Sequence, residues 1–183
     1  MYWVIGGAAG FALAMFETLL IRALFRVPPP HRLLVVSGRQ YPQGGKTRGF
    51  AVNGRPRAVM PVVERAEELD TTCVPCTVEV KNAYLKGGVP VTARWFALAR
   101  ISREQGIVHE AVERFLGRPA SEVGQVARET LEGVARGLLV TAELEEVEDL
   151  KFLQELAKEA GPHLRKMGLE LVHLSLDSAR KAV

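Results

Sequence analysis

A chain of 183 residues that is 48% hydrophobic and 25% charged, with a net charge of +3, is long enough to bury one core of ordinary size and too apolar to remain disordered or fibrous. Two cysteines exclude a disulfide-stapled secreted framework and fit a reducing compartment. The averages hide an asymmetry. Between Thr18 and Val63 there is no Asp or Glu against eight Lys and Arg, whereas from Glu104 to Glu159 acidic residues outnumber basic ones thirteen to six. A basic first third beside an apolar N-terminus suits anionic lipid headgroups. It does not suit nucleic acid, because no aromatics interleave with the arginines and no groove-reading motif accompanies them.

Residues 1–16 carry no charged side chain, and the apolar character continues through Leu20, Ile21 and Leu24 to Phe25. Trp3, Val4, Ile5, Phe11, Leu13, Phe16, Leu20, Ile21, Leu24 and Phe25 are the candidate membrane-anchor side chains. As a helix, Trp3 to Phe25 would measure roughly 34 Å against a hydrocarbon core of about 30 Å. Glu17 and Arg22 interrupt its second half, and a charge at mid-bilayer costs roughly 2.5 to 3.5 kcal/mol. Thr18, Arg22 and Arg26 share one stripe at four-residue spacing, with Leu20, Ile21, Leu24 and Phe25 on another side. Two arrangements fit: a transmembrane helix whose polar stripe meets neighbouring subunits, or a re-entrant wedge with that stripe at the interface. The span is the expectation, with Arg22, Arg26 and Arg32 in contact with headgroups.

A cleaved signal peptide fits poorly, since no basic region precedes the apolar run. Trp3 at one edge, and Gly6, Gly10 and Ala14 at four-residue spacing, suit a packed membrane helix better than a buried soluble one. The excess of Lys and Arg after the segment places the rest of the chain on the cytoplasmic side of the cell membrane.

Pro28-Pro29-Pro30 forbids continuation of a helix, so the anchor is expected to occupy residues 1–27 and a folded domain residues 28–178, with a tail at 179–183. Arg32 to Ser37 reads as a strand, followed by a Gly/Pro/Gln loop through Gly49 and a short strand at Phe50 to Val52. Asn53-Gly54 is a hairpin signal that would pair Phe50–Val52 with Ala58–Val63. Thr77–Leu85 and Val89–Ile101 form two longer β-type runs around Lys86-Gly87-Gly88, a second hairpin.

After Ile101 the apolar period changes from two to about 3.6. Ser102 with Gln105 reads as a capping box opening a helix to about Leu116. Val123, Ala127, Leu131, Val134 and Leu138 mark one face of a second helix, and Leu153, Leu156, Ala160, Leu164 and Met167 one face of a third. Gly168 is placed to end that helix, and Leu169–Leu176 reads as a last strand returning to the sheet. The predicted class is α+β: an antiparallel or mixed sheet in the first half, helices packed after it, and an N-terminal membrane helix in front.

Candidate chemistry is sparse. Gly44-Gly45-Lys46-Thr47 resembles a phosphate loop only in part, because Gln40 stands where the first glycine is needed and no strand-to-helix unit surrounds it. Cys73-Val74-Pro75-Cys76 has metal or redox spacing, yet no second ligand pair exists and a strand rather than a helix follows. Cys73 and Cys76 are therefore a candidate thiol pair, read first as two packed thiols at a strand edge. His31, His109, His163 and His173 are scattered, with exposed or capping roles as the default. The acidic run Glu143 to Asp149 suits the positive end of a helix better than a cation. No catalytic residue, cofactor site or metal site is predicted, and the chain does not read as an enzyme.

Three pieces, Lys86-Gly87-Gly88-Val89-Pro90-Val91, Thr130-Leu131-Glu132-Gly133 and Met167-Gly168-Leu169-Glu170-Leu171, occur in an order and spacing that resembles the flotillin branch of the stomatin/prohibitin/flotillin (SPFH, band 7) superfamily. The similarity runs from about Pro28 to Asp177. It implies an SPFH-like domain in a non-catalytic membrane scaffold that self-associates into a homo-oligomer and organises membrane microdomains, with membrane lipids and membrane-protein clients as partners. Regulation of a membrane protease or transporter is the alternative that the superfamily offers. Flotillins continue into a long coiled coil, so the resemblance is to a flotillin-like member lacking that segment, with residues 179–183 where it would begin.

Overall fold

The computed structural model describes residues 15–19, 24–43, 46–60 and 63–181. The chain divides into two compact units, Met1–Glu68 and Leu69–Val183. Strands dominate the first part of the chain and the helices follow, so the class is α+β as expected.

In the first unit, β1 (Phe25–Arg26), β2 (Arg32–Gln43), β3 (Lys46–Asn53) and β4 (Arg57–Ala58) precede β5 (Arg65–Asp70), which carries the chain onward. β2 lies between β3 and β5. Leu33-Leu34-Val35-Val36 is a continuous apolar run with every member buried, and Leu34 and Val36, two apart on one face of β2, pack with Val59 in a small core flanked by Tyr41 and Ala66.

Three expectations fail in this unit. The stretch read as a loop through Gly49 is strand: β2 pairs antiparallel with β3, Val35 opposite Val52 and Gln43 opposite Lys46, with an irregularity between Ser37 and Tyr41. That register leaves two residues, 44 and 45, between the strands, the spacing of a two-residue hairpin. Phe50–Val52 is thereby paired to β2 and is not available for the predicted hairpin with Ala58–Val63. Pro56, which has no N–H to give a ladder, separates the Asn53-Gly54 turn from β4, and β4 pairs with β1 instead, Phe25 opposite Ala58 and Arg26 opposite Arg57. The third correction follows: Phe25 and Arg26 are extended, not the end of a helix. Pro28 disfavours a helical residue before it, and the Leu24 carbonyl accepts from the Val59 N–H at 2.9 Å.

The second unit is built on a three-stranded sheet, β6 (Val74–Tyr84), β7 (Pro90–Ile101) and β8 (Leu169–Lys181), in that order. β7 pairs antiparallel with both neighbours. The predicted β6–β7 hairpin is present: the Gly88 N–H donates to the Leu85 carbonyl at 2.9 Å, and Gly87 and Gly88, with φ of 91° and 78°, take the positive-φ positions of the connection, which glycine adopts without strain. Along β7 every second side chain, Val91, Ala93, Trp95, Ala97 and Ala99, is fully buried. That face is covered by α2 (Ala120–Leu139) and α4 (Leu150–Lys166); α1 (Val108–Phe115) and the short α3 (Leu144–Val147) complete the helices. α2 packs on β6 and β7, and α4 packs on β8 and α2.

The helical faces follow the predicted period with shifts of one position. α2 buries Val123, Gly124, Ala127, Leu131, Ala135 and Leu139, leaving Val134 and Leu138 half-buried. α4 buries Phe152, Leu156, Ala160 and Leu164. The Trp95 ring stacks on Phe152 at 6.2 Å between centroids. The Ser102 capping box is absent: Ser102 is buried, its N–H donates to the Gly168 carbonyl at 2.9 Å, and α1 starts only at Val108. Gly168, at φ 82°, stops α4 as predicted, and the last strand returns to the sheet, running on to Lys181.

Candidate membrane-facing site

The first unit presents an apolar ribbon whose two faces have opposite destinations. In paired strands the side chains alternate between faces. Arg57 and Val59 turn inward: Val59 joins the core with Leu34 and Val36, and the Arg57 guanidinium reaches the Glu64 carboxylate at 3.3 Å while lying 5.1 Å from the Tyr41 ring centre. Phe25, Val27 and Met60 turn outward and are 50%, 69% and 56% exposed, and Val63 beyond them is 48% exposed.

Glu64 holds this ribbon in place. Its buried carboxylate accepts from the Met60 N–H at 3.2 Å and from the Tyr41 hydroxyl at 2.8 Å, while the Glu64 N–H donates to the Met60 carbonyl at 2.8 Å. The Met60 amide first, then the Tyr41 hydroxyl, hold the Glu64 carboxyl below its usual range, and burial opposes them. Burial and the Glu64 hydrogen bond together push the Tyr41 phenol up.

The residues singled out in the sequence divide into three groups. Trp3, Val4, Ile5, Phe11, Leu13, Leu20, Ile21 and Arg22 lie outside the described residues. Phe16 is an exposed part of a helical turn over residues 15–19, and Leu24 is half-buried. Phe25 and Arg26 are exposed on β1, and Arg32 pairs with Glu68 at 2.7 Å. Among the described residues no helix is long and apolar enough to cross a membrane.

Cys76 is buried on β6, where burial raises its thiol pKa, and Cys73 is half-buried; both are free thiols. A raised pKa works against thiolate chemistry. Cys76 lines a shallow groove of about 480 Å³ with Gly124, Gln125 and Arg128. Among the described residues no three His, Cys, Asp or Glu side chains converge to hold a metal. Lys46 and Thr47 sit on β3 of an antiparallel hairpin, where no helix N-terminus follows. His109, for which an exposed or capping role was the expectation, is one of the buried residues of α1. The acidic run forms α3, with Glu143 and Glu146 capping each other reciprocally.

Sequence reasoning missed Met60, Val63 and Glu64. The usable signal was the apolar run Ala58–Val63 between arginines and a lone Glu, which was assigned to a hairpin strand instead. It also missed a groove of about 620 Å³ between α2 and α4, floored by Gly133, Val134, Gly137 and Leu138 and rimmed by Glu155 and Glu159.

The three motifs lie at the β6–β7 turn, on α2 and at the α4–β8 junction, and over almost its whole length the chain is homologous to flotillin-like proteins. It is similar to the flotillin-like protein FloT of Bacillus subtilis (strain 168), 30% identical over 185 residues that cover 97% of this chain and 36% of that protein. Flotillin-1 of Pongo abelii is 24% identical over 91% of the chain, and flotillin-1 of Homo sapiens is 24% identical over 87%. The chain spans about a third of the length of these relatives, 36%, 35% and 34% respectively. No family model matches it.

Proposed function

We propose that this chain is a non-catalytic, membrane-attached scaffold that associates with copies of itself and organises patches of membrane. The alignment of 97% of the chain with a flotillin-like protein carries this reading. The uncharged residues 1–16 and the absence of Asp and Glu from Thr18 to Val63 support attachment through an N-terminal membrane helix, with Arg22, Arg26 and Arg32 near anionic headgroups and the folded units on the cytoplasmic side. The acidic balance from Glu104 to Glu159 supports contacts between unlike-charged surfaces of neighbouring copies, which would close into rings or run on as arrays.

Size-exclusion chromatography with light scattering in mild detergent tests self-association. The expected result is an assembly at low salt that becomes smaller at high salt as surface charges are screened; a monomer at both salts overturns it. Co-purification after gentle solubilisation tests scaffolding. A broad set of membrane proteins is expected, and one dominant stoichiometric partner would replace scaffolding with regulation of that partner.

A further inference from the structure

We propose that the groove between α2 and α4 is a docking site for a basic amphipathic helix, the juxtamembrane segment of a membrane protein that the scaffold gathers. This rests on the scaffold reading given above and names the chemistry of its partner.

α2 leaves part of its apolar face uncovered. Ala127, Leu131 and Ala135 are fully buried against the sheet side, while Val134 and Leu138 are only half-buried. Beside these two stand Gly133 and Gly137, both exposed, where a Cβ would meet nothing within 4 Å and where φ is not positive. Nothing in the packing or backbone of this chain asks for glycine there, and each costs the helix about 1 kcal/mol against alanine. The missing side chains leave room instead: a trough of about 620 Å³. Its α2 wall, Thr130 to Leu138, and its α4 wall, Glu155 to His163, each run about 12 Å, a little over two turns of helix. A trough of this form takes the apolar stripe of an added helix, and glycine lets that helix approach closely.

Charge selects the occupant. Glu129, Glu155 and Glu159 are exposed along the groove, and no Lys or Arg lines it. Among the described residues none of these three carboxylates is held in an ion pair, whereas Glu132 on the same helix pairs with Arg136 at 2.9 Å; Glu129 accepts from the neutral Gln125 side chain at 2.9 Å. A smaller lobe of about 300 Å³ continues the groove past Leu138 and Glu155 and adds Glu146 and Asp149 against one cation, Lys151. An apolar floor between unneutralised carboxylates complements a helix with large apolar side chains on one stripe and Lys or Arg beside it. Cytoplasmic segments next to a membrane span are rich in Lys and Arg, so the membrane proteins that a scaffold meets carry this chemistry where they leave the bilayer. The same carboxylates disfavour anionic lipid as the occupant.

The test titrates the full-length chain, in neutral mild detergent, against a fluorescein-labelled peptide of about four helical turns with leucines on one stripe and lysines flanking it. Anisotropy is read with detergent alone as background. Gly133→Leu with Gly137→Leu fills the trough, and Glu155→Gln with Glu159→Gln removes its charge; each pair is expected to weaken binding about tenfold or more. Leucine is the better helix former, so the glycine pair should keep or raise the urea midpoint; if it lowers the midpoint, the glutamine pair decides. Equal binding by the parent and the variants, or by a scrambled peptide of the same charge, overturns the groove. No binding by the parent also overturns it, while salt-dependent assembly of the parent keeps the scaffold reading. A glycine variant that light scattering finds monomeric shows that a second copy fills the groove, and overturns the partner named here. In phosphatidylcholine vesicles the same helix joined to a polyleucine span should bind about tenfold or more tightly than the free peptide, because both proteins then share one membrane. No gain, with the chain present on the vesicles, overturns the juxtamembrane source; a chain absent from the vesicles overturns the membrane reading and this source with it.

Discussion

Gly168 stands against Ala111 so closely that a Cβ at position 168 would lie 2.3 Å from the Ala111 backbone nitrogen and 2.5 Å from its Cβ. The same glycine has φ 82°, so it serves at once as the left-handed stop of α4 and as the contact that lets α1 approach the start of β8. Neither demand tolerates a side chain, and the obstruction is backbone, which cannot swing away. Gly168→Ala is expected to cost about 3 kcal/mol or more. Gly117 has φ 75° but open space around it, so Gly117→Ala should cost only about 1 kcal/mol, the left-handed penalty alone. Urea unfolding of the two variants checks the difference, and equal losses would remove the Gly168–Ala111 contact from the explanation.

Glu64 gives the first unit an acid limb. Its folded-state pKa lies below the ordinary 4.5, because the Met60 amide and Tyr41 hydroxyl bond the ionised form. A depressed carboxylate contributes stability that is fully present above the unfolded value and is lost as pH falls through the folded one. Glu64→Gln should therefore destabilise the protein by about 1 kcal/mol at neutral pH. Its deficit against the parent should shrink as pH drops below about 4.5. Unfolding series at pH 7, 5 and 3 measure this, and a deficit that is constant across that range would contradict it.

Phe152 is the stacking partner of Trp95, a ring with no exposed surface. Phe152→Ala removes the contact between α4 and the centre of β7, and a large-to-small change of this kind costs about 3–5 kcal/mol. Because Trp95 is one of only two tryptophans, the fluorescence of a Trp3→Phe background reports on it directly. A red-shifted emission together with the lost stability is expected; an unchanged spectrum would show that α4 does not shield this ring.

The second unit was largely legible in the sequence because its signals are local and strong. Lys86-Gly87-Gly88 between two alternating runs, the 3.6-residue period of Val123, Ala127 and Leu131, and Gly168 after an apolar helix each specify one conformation without help from distant residues. The first unit was less legible, since its pairings are decided by competition. Gly38 and Pro42 give the second half of β2 the composition of a loop, although Gly44-Gly45 repeats the glycine pair of Gly87-Gly88. With β3 paired to β2, Ala51 faces Val36, and the segment after Pro56 pairs with β1. The site suffered most, because the outward face of Met60 becomes visible only when Val59 is known to be inside.

Membrane attachment through residues 1–24 is tested most directly by flotation of the full-length chain with phosphatidylglycerol-containing vesicles on a density gradient, followed by an alkaline carbonate wash. The chain should rise with the lipid and stay there after the wash, because burial of the apolar residues between Trp3 and Leu24 does not depend on charge pairing. A variant that lacks residues 1–24 should remain at the bottom after the same wash, or rise only before it. Recovery of the full-length chain in the protein-only fractions, with or without the wash, would contradict membrane anchoring and with it the scaffold function proposed for this flotillin-like protein.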